Sequence, residues 1–205
     1  MVASQLRTNA VNDPRVVAAM ARVPRERFVP EGDRWQAYRD GPLPLPNGRQ
    51  LNLPMATGRL LTEAAVRPTD HVLLIGAASG YAAAVLAELA ARVVAVESDP
   101  QLVEIARASL AGIANVELVA GALAAGHPDG APYDVLVVDG AVKVLPDALV
   151  QQIKPDGRCV AGQIDRGVTR LSFGRRSPGG FGLAAFADAE CVVLPGFAKP
   201  HGFSF

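Results

Sequence analysis

Apolar residues along this chain fall into two alternating patterns, short apolar runs and longer stretches with helical spacing. Val72–Ile75 is a short apolar run, and Val135–Val138 has no polar alternation at all, which is typical of strands buried on both faces. A further run, Val93–Glu97, ends on an acid. Helices are expected at Tyr81–Ala91 and Pro100–Leu110. This order predicts a doubly wound α/β fold, in which helices cover both faces of a mostly parallel sheet.

The flanking regions contain weaker versions of the same patterns. Helical spacing that starts at Pro14 ends at Pro24, and Phe28–Pro54 has little periodicity, so this segment is expected to be functional or to hold short elements of its own. We expect Ser98 or Asp99 to cap the helix that begins at Pro100. The other predicted elements are a helix at Thr57–Val66, strands at Val116–Val119 and Arg158–Ala161, a helix at Leu145–Ile153 that ends before a turn at Gly157, and two C-terminal strands at Val168–Phe173 and Cys191–Leu194.

Composition narrows the classes of function. Half of the 205 residues are hydrophobic, so a sizeable core is expected. Lys plus Arg and Asp plus Glu amount to 20 each, and no basic run occurs, so we expect no nucleic-acid partner. The most apolar window, Tyr81–Val96, contains Glu88 and Arg92, so we expect no membrane-spanning segment. The first residues lack the apolar core of a signal peptide, which favours a cytoplasmic location.

The cysteines and histidines show no metal-ligand spacing. Cys159 and Cys191 each lie in an apolar context, which predicts buried free thiols. His71, His127 and His201 are widely separated along the chain, so the sequence predicts no zinc site.

A glycine turn followed by an acid is the most informative feature of the chain. Gly76–Gly80 lies between a predicted strand and a predicted helix, and Glu97 ends the next strand. An acid at that point can hydrogen-bond a ribose diol, and the glycines let a cofactor approach the backbone. The loop has only the outer glycines of a dinucleotide motif. It therefore suits S-adenosylmethionine better, because that cofactor has no pyrophosphate to hold.

Several longer motifs carry a resemblance to a known family. The segment Val23–Pro30, Val-Pro-Arg-Glu-Arg-Phe-Val-Pro, is long and unusual. With it, the chain resembles the protein-L-isoaspartate O-methyltransferases from about Gln5 to about Val160, whereas the part after Ala161 matches weakly. The other matching segments are Asp13–Val16 with Ala19 and Met20, Ala37–Asp40 with Pro42–Leu45, Ile75 and Gly76 with Ser79–Tyr81, and Ala131–Asp134.

The resemblance implies a single methyltransferase domain with a Rossmann-like, S-adenosylmethionine-binding core. Such enzymes methylate the α-carboxylate of L-isoaspartyl residues in damaged proteins, and the ester then collapses to a succinimide. By resemblance, residues 1–56 form an N-terminal helical and loop extension on the substrate side, 57–161 the cofactor-binding core, and 162–205 divergent C-terminal strands. A monomer is the default expectation. The implied cofactor-binding residues are Gly76, Ala77, Ala78, Ser79, Gly80, Glu97, Gly121, Ala122 and Asp139.

The chain departs from the family pattern where the chemistry is expected. The family's functional serine falls on Asn52, which makes Asn52 the candidate catalytic residue. The acid that usually precedes the loop falls on Leu74, and the middle glycine of the loop on Ala78. The family's aspartate after the third strand of the core falls on Ala122, and Asp139 is an extra acid after the fourth.

Single residues keep two interpretations each. Asn52 either holds a substrate carboxylate through its amide or forms an Asx turn before Pro54. Asp139 either faces the cleft or caps the next helix, and we favour the cap. Arg49 either pairs with an acidic substrate or is solvated, the commoner state of an isolated loop arginine. Trp35 and Tyr38 form an aromatic wall or, more commonly for such residues, anchor the extension to the core.

Two alternatives to the family activity remain open. Loss of the usual residues at Asn52, Leu74 and Ala122 is also what a non-catalytic relative would show, serving as a binding or interaction module on the same scaffold. Asn52 and the divergent C-terminal part are also consistent with a methyltransferase that has a changed carboxylate acceptor.

Overall fold

The computed structural model describes residues 6–197. They form one seven-stranded sheet, a small two-stranded sheet and five α-helices, with short 3-10 turns between them. The helices are α1 (Pro14–Arg22), α2 (Pro54–Ala64), α3 (Tyr81–Ala87), α4 (Pro100–Ser109) and α5 (Asp147–Val150). The strands are β1 (Leu43–Pro44), β2 (Gln50–Leu51), β3 (His71–Ile75), β4 (Arg92–Glu97), β5 (Val116–Ala120), β6 (Tyr133–Val142), β7 (Ile153–Asp165), β8 (Val168–Arg175) and β9 (Leu183–Asp188).

The large sheet is mostly parallel, as the alternation of strands and helices predicted. Its strand order is β5-β4-β3-β6-β7-β8-β9, and the first five of these strands run parallel. The last two, β8 and β9, return as an antiparallel meander. The central strand β3 pairs with β4 on one side and with β6 on the other. The direction in which the strand order grows therefore reverses at β3, and ligand crevices of open α/β sheets form at such a point.

Side chains alternate between the two faces of the sheet and divide the core in two. Val72 and Leu74 of β3 pack in the cluster that contains the apolar sides of α1 to α4. Leu73 and Ile75 pack on the other face, where α5 and the C-terminal residue Leu194 cover them. Helices thus lie on both faces, as predicted, but in unequal number, because an extended C-terminal segment replaces helix cover on the second face.

Capping and pairing decide where individual helices begin and end. Of the two candidate caps for α4, Asp99 is the one observed, since its carboxylate accepts hydrogen bonds from the backbone of Gln101 and Leu102. Helix α3 ends at Ala87, earlier than the periodicity predicts. The reason is that the backbone N–H of Ala91 already donates to the carbonyl of Asp70, at the start of the sheet.

The second half of the chain differs from its sequence pattern in two further places. Helix α5 is much shorter than the predicted Leu145–Ile153, because Ile153 already pairs with Tyr133 in the sheet. Strand β7 consequently contains the predicted turn at Gly157. The pairing register with β6 shifts at this point, and Asp156 there has a φ of 62°.

The predicted strand at Cys191–Leu194 is wrong. This segment forms a single bridge, between Val193 and Ala141, and the last strand is β9 instead. Cys191 and Leu194 are buried against the sheet. An apolar run in the sequence does not distinguish such packing from pairing within the sheet. Strand β9 escaped prediction because its Leu-Ala-Ala-Phe-Ala-Asp sequence is rich in alanine, a residue with low strand propensity.

The segment between Phe28 and Pro54 contains short elements of its own. Its main feature is a hairpin in which β1 pairs antiparallel with β2, Leu43 opposite Leu51. The turn of this hairpin lies at Leu45–Arg49, where the backbone N–H of Leu45 donates to the carbonyl of Arg49 over 2.8 Å. The hairpin brings its turn and the following residue, Asn52, to the carboxyl ends of the central strands.

Candidate active site

The glycine loop lies at the carboxyl end of β3 and is held against β4. The backbone N–H groups of Gly76 and Ala77 both donate to the carbonyl of Val96, each over 3.1 Å. Gly76 and Gly80 have φ of 83° and 101°, values that L side chains rarely adopt. The loop therefore requires glycine at its two outer positions, which are the positions that the chain retains.

Ala78 occupies the middle of the loop with φ of 50°. This φ is positive, and an L side chain has a steric cost in that region, so the chain carries strain at Ala78. Replacing Ala78 by glycine is expected to raise the free energy of unfolding by about 1 kcal/mol.

Urea denaturation of the Ala78→Gly variant measures this gain. Ala77→Gly is the matched control, because Ala77 does not have a positive φ, and its replacement should cost about 0.5–1 kcal/mol. A loss of stability in both variants would contradict the argument.

Glu97 ends β4 with its carboxylate fully buried and directed at the loop. Oε2 accepts a hydrogen bond of 2.8 Å from the backbone of Ala78, and Oε1 accepts bonds of 2.8 and 3.0 Å from the backbone of Ser98 and Asp99. The predicted position of this acid beside the glycine loop is therefore the position observed. A buried carboxylate with this orientation can accept the hydroxyls of a ribose.

Arg49 completes the surroundings of Glu97. Its guanidinium forms two parallel hydrogen bonds to the carboxylate, Nη1 to Oε1 over 2.6 Å and Nη2 to Oε2 over 3.1 Å. The Arg49 side chain is only 11% exposed. The expectation that this loop arginine is solvated is therefore wrong. The hairpin places Arg49 over the buried Glu97, a long-range contact that the hydrophobic pattern of the sequence does not predict.

Asn52 and Asp139 form a second polar cluster, next to the loop. The Asn52 amide donates to Asp139 Oδ1 over 2.9 Å, and the Thr57 hydroxyl donates to the same oxygen over 2.8 Å. The Asn52 carbonyl oxygen accepts the backbone N–H of Val192 over 3.2 Å. Asn52 therefore connects the hairpin to β6 and to the C-terminal segment, and it forms no Asx turn before Pro54.

The interpretation of Asp139 as a helix cap is wrong. Asp139 lies within β6 and is buried beneath α2, and the next helix, α5, begins only at Asp147. Strand β6 continues past the expected end because Ala141 and Val142 still pair with β7. Burial raises the pKa of the Asp139 carboxyl above its ordinary value, and the hydrogen bonds from Asn52 and Thr57 offset only part of this.

The pKa of Asp139 leads to a stability prediction. A raised native pKa means that the folded protein keeps a proton that the unfolded chain releases, so stability falls as the pH rises from about 3.8 to the native pKa. Within that window the loss is about 1.4 kcal/mol per pH unit. Asp139→Asn should remove this loss, and its stability relative to the wild type should increase with pH.

Urea denaturation between acid and neutral pH tests this, with Asp134→Asn as control on the same strand. Burial alone would raise the pKa of Asp134, but hydrogen bonds from Lys154 and from the backbone of His71 hold it below its usual range. Asp134 therefore stabilises the protein above its unfolded pKa, and the control should lose stability relative to the wild type as the pH rises. Parallel pH profiles for the two variants would contradict the assignment.

Arg25 contacts this cluster through the backbone of Asn52. No role was predicted for it from the sequence. Its guanidinium donates to the carbonyl of Ala37 over 2.9 Å and to that of Asn52 over 2.5 Å. It also lies 4.6 Å from the ring centroid of Tyr81, the first residue of α3. Arg25 thus fastens the N-terminal extension to the site. Its position within the Val-Pro-Arg-Glu-Arg-Phe-Val-Pro motif was the signal that could have identified it.

The remaining predicted residues occupy different surroundings. Gly121 follows β5, and its N–H donates to the backbone carbonyl of Glu97 over 2.9 Å. Ala122, next to it, is exposed at the edge of the crevice. Leu74 is buried in the core beneath the helices rather than facing the crevice. By resemblance, polar contacts to the cofactor are expected from positions 74 and 122. The side chains of Leu74 and Ala122 cannot make them.

The loop and its surroundings fit the ribose and methionine parts of S-adenosylmethionine. Glu97 supplies the acceptor for a ribose. The Ser79 hydroxyl is buried and has no hydrogen-bond partner among the described residues, so it is available as a donor. A Cβ added at Gly76 would come within 3.0 Å of the side chain of Leu194, so the C-terminal segment packs directly against the first glycine of the loop.

Trp35 does not anchor the extension to the core. Trp35 is 81% exposed, and Tyr38, also exposed, donates its hydroxyl hydrogen bond to Glu26. Both cysteines are free and buried, as predicted.

Residues 6–197 bear on two expected absences, a metal site and a membrane-spanning segment. Within this range, no group of three or more His, Cys, Asp and Glu side chains is arranged to hold a metal ion. Over the same range, no helix has the length and apolar character needed to cross a membrane. His201 lies outside the described residues.

Comparisons with known proteins agree on one family. Residues 1–171 match the family model of protein-L-isoaspartate(D-aspartate) O-methyltransferase. The chain is 39% identical over 197 residues to the protein-L-isoaspartate O-methyltransferase of Methylorubrum populi, covering 95% of this chain and 92% of that protein. It is 42% identical over 163 residues to that of Methanoculleus marisnigri, covering 78% and 74%.

Solved structures show the same fold at lower identity. A structure described as a protein-L-isoaspartate O-methyltransferase has a TM-score of 0.79 and 23% identity; the match covers 90% of this chain and 62% of that one, so this chain spans less than two thirds of it. A putative enzyme of this kind from Plasmodium falciparum, in complex with S-adenosyl-L-homocysteine, has a TM-score of 0.79 and 17% identity, covering 92% and 93%.

Proposed function

This chain belongs to the protein-L-isoaspartate(D-aspartate) O-methyltransferase family, and we propose that it transfers a methyl group from S-adenosylmethionine to the α-carboxylate of L-isoaspartyl residues in damaged proteins. The resemblance found in the sequence is thereby confirmed. The observation that carries the proposal is the buried Glu97 carboxylate, hydrogen-bonded to the glycine loop at Ala78. A ribose acceptor placed beside such a loop, at the point where the strand order reverses, is suited to a nucleoside cofactor.

The chemistry requires positioning more than proton transfer. S-adenosylmethionine, when bound, supplies a methyl group already activated by a sulfonium, and the acceptor carboxylate is already a nucleophile. Glu97 would hold the ribose, and Gly76–Gly80 would let the cofactor lie against the backbone. Alignment of the two reactants in a site that excludes water is then the main contribution of the protein.

Asn52 takes the place of the family's serine, but as a positioning residue. Its amide is committed to Asp139 and its carbonyl oxygen to the backbone of Val192. Both bonds join the hairpin to the wall of the crevice. We therefore propose that Asn52 sets the shape of the acceptor side, while the acceptor carboxylate is bound by other groups.

The remaining expectations belong to the same proposal. We propose that the substrate is a damaged protein or peptide, that neither nucleic acid nor membrane is a partner, and that the protein acts in the cytoplasm as a monomer. Its single domain comprises the extension 1–56, the core 57–161 and the C-terminal part 162–205. Within it, Gly76–Gly80, Glu97 and Gly121 line the cofactor crevice, Ala122 lies at its edge, and Asp139 supports Asn52.

The direct test is transfer of labelled methyl from S-adenosylmethionine to an isoaspartyl peptide. The same peptide with ordinary aspartate is the control, and label is expected only on the isoaspartyl form. Base-labile release of the label would identify the ester. Absence of transfer at high protein concentration would overturn the proposal.

A non-catalytic binding module is the second candidate, favoured by the apolar Leu74 and Ala122 at family contact positions. Calorimetry with S-adenosylhomocysteine separates the possibilities. Binding together with transfer supports the enzyme, and binding without transfer to the isoaspartyl peptide indicates a changed carboxylate acceptor. Absence of binding favours the module.

A further inference from the structure

The carboxylate assigned to the cofactor's ribose is already fully engaged by the chain itself. Five N–H groups donate to it at 3.1 Å or less: two from Arg49 and one each from the backbones of Ala78, Ser98 and Asp99. A carboxylate offers about four lone-pair sites. A ribose diol therefore cannot bind Glu97 unless one of these donors leaves.

Arg49 is the donor that can leave. The three backbone donors belong to the glycine loop and to the start of α4, which are part of the folded core. Arg49 instead lies in the turn of the β1–β2 hairpin, next to Asn47 and Gly48, which are exposed and have φ of 56° and 70°. Its side chain can swing into solvent, where a guanidinium recovers its hydration.

The tip of the turn, 46–49, is attached to the core by few polar contacts, whereas Leu45 at its base is buried in the core. Besides the two bonds of Arg49, the Asn47 amide donates to Asp99 Oδ2 over 2.8 Å and lies 3.4 Å from Gln101 Oε1. Both of these hydrogen bonds are exposed. Exposed hydrogen bonds of this kind contribute little, so the buried Arg49–Glu97 pair is the main polar attachment of the tip.

We propose that Arg49 competes with the cofactor's ribose for Glu97, so that cofactor binding releases the β1–β2 hairpin turn from the core. This inference rests on the proposed use of S-adenosylmethionine. Arg49 is then a determinant of cofactor affinity, because only those protein molecules in which the guanidinium has left Glu97 can bind the cofactor. The turn is joined through β2 to Asn52, so release of Arg49 is also expected to change the position of Asn52 on the acceptor side.

The experiment measures S-adenosylhomocysteine binding by calorimetry to the wild type, Arg49→Gln and Arg49→Lys. If the paired state is populated at 90% or more, removing the competitor should tighten binding at least about 10-fold. Lysine keeps the charge but cannot form two parallel bonds to a carboxylate, so Arg49→Lys should give a smaller gain. Arg22→Gln is the matched control, because Arg22 also joins the extension to the core through a glutamate, Glu88, on the surface far from the loop. It should leave the affinity unchanged.

Hydrogen exchange supplies a readout other than affinity. Addition of S-adenosylhomocysteine to the wild type should increase amide exchange in residues 47–49 at the tip of the turn, and decrease it in Gly76–Gly80. In Arg49→Gln the tip should already exchange fast without ligand. A purely structural role for Arg49 would not produce ligand-dependent release.

The outcomes separate this inference from the proposed function. If the wild type binds and Arg49→Gln and Arg49→Lys bind no more tightly, Arg49 is not a competitor, while the cofactor assignment stands. If neither the wild type nor the variants bind S-adenosylhomocysteine, both the competition and the methyltransferase function are overturned. If Arg49→Gln does not fold, the smaller gain expected for Arg49→Lys and the exchange of the wild-type hairpin decide the question.

Discussion

Replacing Glu97 by glutamine in the Arg49→Gln variant is expected to weaken S-adenosylhomocysteine binding by about 100-fold. A ribose diol donates two hydrogen bonds to the carboxylate, and bonds to a charged group contribute about 1.5–3 kcal/mol each. Glutamine is neutral and keeps a single acceptor oxygen. The resulting loss of about 3 kcal/mol corresponds to the 100-fold change. Calorimetry on the folded variant measures it.

Glu117→Gln is the matched control for this experiment. Glu117 lies on β5, the strand next to β4, but its side chain is 43% exposed and pairs with Arg92 on the surface. Its replacement should leave the affinity unchanged. Because Glu97→Gln in the wild-type background also frees Arg49, the full loss should appear when Arg49→Gln is compared with the double variant Arg49→Gln/Glu97→Gln. An affinity of the double variant within threefold of that of Arg49→Gln would show that Glu97 does not hold the ribose.

Replacing Arg25 by methionine is expected to lower the free energy of unfolding by about 3–5 kcal/mol, the usual cost of removing one partner from a buried charged network. Two carbonyl groups, of Ala37 and Asn52, lose their donor. The buried Asp139 also loses the positive charge of Arg25, which opposes the rise of its pKa. Methionine fills the space but supplies neither donors nor charge.

Urea denaturation measures this change, and Arg22→Met is the control. Arg22 precedes Arg25 in the same extension, but its side chain is 57% exposed, so its loss should change stability by about 0.5 kcal/mol or less. The double variant Arg25→Met/Asp139→Asn should recover part of the loss, because the acid left without its partner is then neutral. A loss below 1 kcal/mol in Arg25→Met would contradict the anchoring role.

The mostly parallel sheet was predictable because its central strands are buried on both faces, so their apolar runs can be recognised without knowledge of the neighbouring strands. Val72–Ile75 and Val135–Val138 are strands as predicted. The C-terminal part was not predictable in the same way. In Cys191–Leu194 the apolar residues cover the sheet instead of joining it, and the alanine-rich β9 joins it without a strand pattern.

In the candidate site, too, the local features were predictable and the long-range contacts were not. The glycine loop and Glu97 are local features of one strand–helix–strand unit, and their order in the chain determines that they meet at the carboxyl ends of β3 and β4. The partners of the acids are not local. Arg49 reaches Glu97 across 48 residues, and Asn52 reaches Asp139 across 87.

Local pattern was therefore sufficient for the parallel core and for the position of Glu97 beside the glycine loop, because backbone propensity and burial act over a few neighbouring residues. The family was identified from its sequence motifs. Only the tertiary structure decided which charges are paired. The packing of the hairpin turn over β4, and of the C-terminal segment over Gly76 and β6, depends on long-range contacts that no spacing encodes. Those contacts leave Glu97 occupied by Arg49 and make Asp139 a buried partner of Asn52 instead of a helix cap.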